Sequence, residues 1–122
     1  MLTTFPINGF VRVTDRARAR RFYEQTLGLS FEYDNEYVTV FRSGTAQIMA
    51  QHMKEFAPIE ATVVGWEVKD IDAVVSYLQQ RGVTFERYPW MEQDALGIWR
   101  SPAGKVAWFK DPDGNILSVA EH

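Results

Sequence analysis

Two stretches of the sequence read alike, and that repeat restricts the possible fold more than any other feature. Val13-Thr14-Asp15 leads into a helical pattern that closes at Gly28-Leu29-Ser30-Phe31-Glu32; Val68-Lys69-Asp70 leads into a second that closes at Gly82-Val83-Thr84-Phe85-Glu86. Asp70 lies 55 residues after Asp15, and Gly82 lies 54 after Gly28. Two ordered matches at almost one offset, flanking the same kind of element, indicate a duplication. A unit of about 55 residues buries too little surface to stand alone. Two such units can share a core, and a chain of 122 residues fits one domain of this kind.

The local physics of the halves agrees. Asp15 and Asp70 suit helix N-caps, because a carboxylate accepts from the free N–H groups of a first turn. Ala19, Phe22, Tyr23 and Leu27 recur at helical spacing, as do Ile71, Val74, Val75 and Leu78. Gly28 and Gly82 stand where a helix ends in a left-handed residue. Strands are expected over residues 9–13, 30–33, 37–42 and 47–51 in the first half. In the second half they are expected over 62–68, 84–88, 105–110 and 116–120. The expected fold is α+β: two tandem βαβββ modules, residues 1–52 and 61–122, joined by 53–60, with a curved mixed sheet around a groove.

Composition narrows the function. The net charge of −3 gives no electrostatic case for nucleic acid or an anionic membrane. No cysteine is present, which removes thiolate catalysis and thiolate metal sites and suits a reducing compartment. No apolar run follows basic residues near the start, and no stretch approaches the ~20 apolar residues of a membrane span. A cytoplasmic protein is the expectation.

Three segments carry a resemblance to a known family: Val13-Thr14-Asp15 through Phe22-Tyr23 to Leu27-Gly28-Leu29; Trp66-Glu67-Val68-Lys69-Asp70-Ile71-Asp72; and Phe109-Lys110-Asp111-Pro112-Asp113-Gly114-Asn115. Together they resemble the vicinal-oxygen-chelate superfamily of glyoxalase I, extradiol dioxygenases, fosfomycin-resistance and bleomycin-binding proteins. The resemblance implies the paired-module fold and a homodimer. It also implies, in metal-using members, four inner-face ligands drawn from His, Gln or Glu. The position seven residues before the capping Asp is Asn8 here and, in the second half, Val63; the remaining positions fall on Met49 and Ser118. That set has no charge and one residue without a donor atom, so neither a metal nor another cofactor is expected. A register slip of two would bring in Gln47, Gln51 or Glu67, at best one carboxylate with amides. His52, at the edge of the linker, and His122 are read as solvated or locally bonded.

Without a metal, strand alternation decides what lines the groove. The expected lining includes Asn8, Phe10, Arg12, Phe41, Met49, Val63, Glu67, Trp108 and Ser118, with Trp90 and Trp99 on an irregular lip between 89 and 104. Trp108 either stacks on a ligand or fills the groove. Trp90 and Trp99 are covered by a ligand or by a dimer mate. Arg12 and Glu67 either orient a polar ligand or pair with each other. Trp66 alternates onto the helix side, and the Arg16, Arg18, Arg20, Arg21 cluster reads as a solvated helix surface. The expected function is metal-independent binding, or sequestration, of a hydrophobic or planar small molecule such as an antibiotic. The alternatives are a metal-dependent lyase, isomerase or dioxygenase of glyoxalase I type, and a metal-independent lyase or isomerase with Glu67 or a tyrosine as base.

Overall fold

Each half builds its helix from a capped start. In the computed structural model, which describes residues 1–122, Asp15 accepts from the Arg18 backbone N–H at 3.0 Å and Asp70 from that of Ala73 at 3.1 Å. The first half runs β1 (Asn8–Val13), α1 (Arg16–Arg20) with a π-helical continuation over Arg21–Thr26, β2 (Ser30–Asp34), β3 (Val38–Ser43) and β4 (Ala46–His52). The second runs β5 (Thr62–Glu67), α2 (Ile71–Gln80), β6 (Trp99–Ser101), β7 (Gly104–Lys110) and β8 (Ile116–Glu121). Gly28 and Gly82 close the helices at φ of 79° and 95°, a region open to glycine because it lacks a Cβ.

The two sheets have matching orders, β1-β4-β3-β2 and β5-β8-β7-β6, each with one parallel pair and two antiparallel ones. β1 and β5, the first strands of the two modules, lie side by side. The helix-facing side chains of both sheets, among them Val11, Phe41, Phe109 and Leu117, then form one cluster with Tyr23 and Ile71 of the helices. Burying such large side chains contributes about 1.5–3 kcal/mol each, so this shared core holds the two halves together.

Polar bonds lock the seam at both ends. The Tyr23 hydroxyl donates to Asp111 Oδ2 at 2.6 Å, and Asn115 Nδ2 donates to the Arg12 carbonyl at 2.9 Å. At the other end, Trp66 Nε1 donates to Ser43 Oγ at 2.9 Å and Arg81 Nε to the Thr26 carbonyl at 3.0 Å. Burial, and then the neighbouring Asp111 carboxylate, hold the Tyr23 phenol well above its ordinary value. An unfolded tyrosine ionises near pH ~10. Between that value and its higher folded value the native state holds the extra proton, so stability falls as pH rises. Urea midpoints followed from about pH 8 to about pH 11 are expected to fall more steeply for the parent chain than for Tyr23→Phe. Equal slopes would remove Tyr23 from that role.

One expected strand does not form. Residues 84–88 contribute a single bridge, Phe85 to Phe109, and one further bond from the Glu86 N–H to the Trp108 carbonyl; the edge strand of this sheet is β6. The segment leaves the sheet because side chains satisfy its backbone. Gln93 accepts from the Tyr88 N–H and donates to the Glu86 and Gly97 carbonyls, while Arg87 donates to the carbonyls of Asp94 and Ala95. Pro89 has no N–H to offer a ladder.

Candidate functional site

The concave side of the paired sheets is open along its floor. Asn8, Phe10 and Arg12 of β1 and Val63, Gly65 and Glu67 of β5 are all exposed, Phe10 by 54%. Asn8, Phe10 and Arg12 pair in turn with Gln47, Met49 and Gln51 of β4. Across β5, β8 and β7, Gly65 pairs with Ser118, and Ser118 with Trp108. The Arg12 carbonyl is bonded by Asn115, which precedes Ile116, the partner of Thr62. The end of β1 therefore abuts the start of β5, and the two strands run in opposite directions.

That geometry separates Arg12 from Glu67, which occupy equivalent positions of the repeat, and places them at opposite ends of the floor. They do not pair. Glu67 instead accepts from the His122 backbone N–H and lies 2.8 Å from its ring Nδ1. Bonding to His122 holds the Glu67 carboxyl below its usual range, which weakens it as a base. Arg12 has no carboxylate partner and projects beside Phe10, Tyr37, Met49, Gln51 and His52, around an open cavity of about 510 Å³. His52 itself is held locally, by Thr39 Oγ1 at 2.7 Å and the Glu36 carbonyl at 3.1 Å.

The second half of the groove is aromatic. Tyr88, Trp90 and Trp108 line a cavity of about 490 Å³ with Met91, Ile116 and the stem of Lys110. The Tyr88 ring lies 5.1 Å from Trp90 and 5.8 Å from Trp108, the latter edge-on. Trp90 remains 76% exposed, at the tip of a loop held from within by Gln93, Arg87 and Asp94. Burial, more than the nearby Glu86 carboxylate, raises the Tyr88 phenol. An apolar, stackable surface with a few polar groups at its rim is the usual chemistry of a small-molecule pocket.

Several expected positions move. Phe41 lies on the opposite side of the sheet: it pairs with Ile48, is fully buried, and packs 5.5 Å from the Tyr23 ring. The β3 side chain that joins Met49 on the concave face is Val40. Trp99 belongs to β6, not to an irregular lip, and packs 6.4 Å from Trp108. Tyr88, expected at a strand end, instead lines the aromatic cavity, on a segment whose N–H is held by Gln93. Asn8, Phe10, Arg12, Met49, Glu67, Trp108 and Ser118 lie on concave-facing rows, and Val63 stands at the β5 bulge.

The four positions at which metal-using relatives place ligands do not suit a divalent ion. Asn8 offers a neutral amide, Met49 a thioether, Val63 nothing and Ser118 a hydroxyl. A Cβ on Gly65 would stand 2.7 Å from Ser118 Oγ, so that hydroxyl faces bare backbone and not a second donor. No group of three His, Cys, Asp or Glu residues gathers anywhere in the chain. No helix is long and apolar enough to cross a membrane.

Known proteins agree with this architecture. The chain resembles, with a TM-score of 0.76 and 17% identity, a glyoxalase family protein from Enterococcus faecalis, over 99% of this chain and 100% of that one. An antibiotic binding protein from Streptomyces superposes with a TM-score of 0.74 at 22% identity, covering 99% and 98%. A lactoylglutathione lyase from Agrobacterium tumefaciens superposes with 0.73 at 14%, covering 97% and 93%. A search of curated proteins gave no significant match. The sequence profile of the Glyoxalase/Bleomycin resistance protein/Dioxygenase superfamily matches residues 7–119, and the chain belongs to that superfamily.

Proposed function

We propose that the groove binds a hydrophobic or planar small molecule without a metal, as a sequestering protein of the antibiotic-binding kind, acting as a cytoplasmic homodimer. The observation that carries this reading is the open wall of Tyr88, Trp90 and Trp108, set beside ligand positions that lack metal donors. Exposed tryptophan loses free energy to water unless something covers it, and a stacked planar ligand recovers that loss. Arg12, free of any carboxylate partner, supplies one polar anchor on the first sheet, at the end of the floor where β5 begins.

Titration with planar aromatic antibiotics, bleomycin-type compounds included, is expected to quench tryptophan fluorescence saturably, with no change on adding a chelator. Trp108→Ala is expected to weaken that binding about 10- to 100-fold, the loss of one aromatic contact worth ~1–3 kcal/mol. Flat titrations across such a panel would remove the binding function. One equivalent of tightly held metal per purified chain would remove its metal independence.

A further inference from the structure

The first strand of each module carries one charged side chain on the concave face, at the same place in the repeat, and only one of the two is matched. Glu67 accepts from the His122 backbone N–H and faces its ring. Arg12 is exposed, and its guanidinium makes neither an ion pair nor a hydrogen bond. Elsewhere the chain engages its arginines: Arg16, Arg18, Arg42 and Arg100 pair with carboxylates, and Arg87 donates to backbone carbonyls. Among the rest only Arg21, exposed on the first helix, is equally unbonded.

The strands set what stands beside the Arg12 cation. Arg12 pairs with Gln51 across β1 and β4, and Phe10 pairs with Met49 two residues earlier. All four line the open cavity of about 510 Å³, and no aspartate or glutamate does. Two residues along a strand span about 7 Å, so a polar row of guanidinium and amide lies directly beside an apolar row of ring and thioether. A small molecule that fills this cavity covers the Arg12 head. A neutral apolar one would strip water from a guanidinium and return nothing. A carboxylate restores the lost bonds, two at once and charge-assisted. The aromatic wall offers an acid no such partner: its Lys110 is paired with Glu86, and Glu60 stands on its rim.

We infer that the groove selects an aromatic acid, a planar aryl carboxylate with its ring over Phe10 and Met49 and its acid group held by Arg12, the Gln51 amide beside it. This rests on the groove-binding reading proposed above and narrows its ligand from planar molecules to anionic ones.

The test is isothermal titration of the full chain with 2-naphthoate and with its neutral counterpart 2-naphthamide. The acid is expected to bind at least about tenfold tighter, the worth of one charge-assisted pair. Raising NaCl from about 50 to about 500 mM is expected to weaken the acid and not the amide, because exposed charges are screened. Arg12→Gln is expected to bring the two probes within about twofold of each other, and Arg12→Lys, which keeps the charge without the fork, to keep part of the preference. Arg21→Gln removes the same charge outside the groove and is expected to leave both affinities as in the parent. An amide bound as tightly as the acid overturns the inference and leaves groove binding standing. A preference that survives Arg12→Gln, or is lost in Arg21→Gln, overturns it as well. Absence of saturable binding of both probes also overturns it, while the antibiotic panel decides groove binding separately.

Discussion

Asp111→Ala is expected to destabilise the protein by about 3–4 kcal/mol, more than any other single polar change in the chain. The side chain is 4% exposed and sits at the turn between β7 and β8. It accepts from the Tyr23 hydroxyl, from the Asn115 side chain and from the backbone N–H groups of Asp113 and Asn115. Burial raises its pKa against those bonds, so the carboxylate costs free energy to bury and is tolerated only because every lone pair is used. Truncation leaves the buried Tyr23 phenol, the Asn115 backbone N–H and one N–H of the Asn115 amide without acceptors, and each buried orphan costs about 1–3 kcal/mol. Asp111→Asn keeps the size but turns one acceptor into a donor facing donors, so it is expected to recover only part of the loss. Urea midpoints of the three proteins at neutral pH test the order. An alanine variant as stable as the parent would mean that the seam is held by the apolar core alone.

The same turn explains why the fold was readable. Caps, glycine stops and helical spacing are local signals, and the duplication doubled each of them, so one module's pattern checked the other's. Asp15 and Asp70 cap as read. Two features were not local. Val38-Thr39-Val40-Phe41 carries side chains that tolerate burial on both faces, so alternation supplies no parity, and only the register with Ile48 and Met49 assigns Phe41 to the core. Residues 84–88 have strand-like composition, yet Gln93 and Arg87 satisfy the backbone around them from several residues away.

The candidate site was legible to the extent that it lies on strands with clear alternation. Asn8-Gly9-Phe10-Val11-Arg12 alternates plainly, and Trp108 and Ser118 follow from the same rule on β7 and β8. Tyr88 and the held loop behind Trp90 were hidden, because their placement depends on side chains bonding to carbonyls.

Phe41→Ala is expected to cost about 3–5 kcal/mol, the range for emptying a fully buried aromatic site that cannot collapse. Phe41 is 0% exposed and packs against Tyr23 at 5.5 Å and Phe31 at 6.4 Å, on a strand held between β2 and β4. Its loss also loosens Tyr23, whose hydroxyl is the donor to Asp111, so the seam weakens with the core. Met49→Ala, one strand away and on the other face, is expected to cost less than about 2 kcal/mol, since that side chain is half-buried and its removal opens onto solvent. The two variants differ in kind at the groove. Where Phe41→Ala remains folded, ligand affinity in the groove should follow the parent's, because the residue lies behind the sheet. Met49→Ala should change affinity without a comparable change in midpoint. The reverse pattern, with Phe41→Ala costing little stability and abolishing binding, would place Phe41 in the groove and refute the register by which β3 pairs with β4.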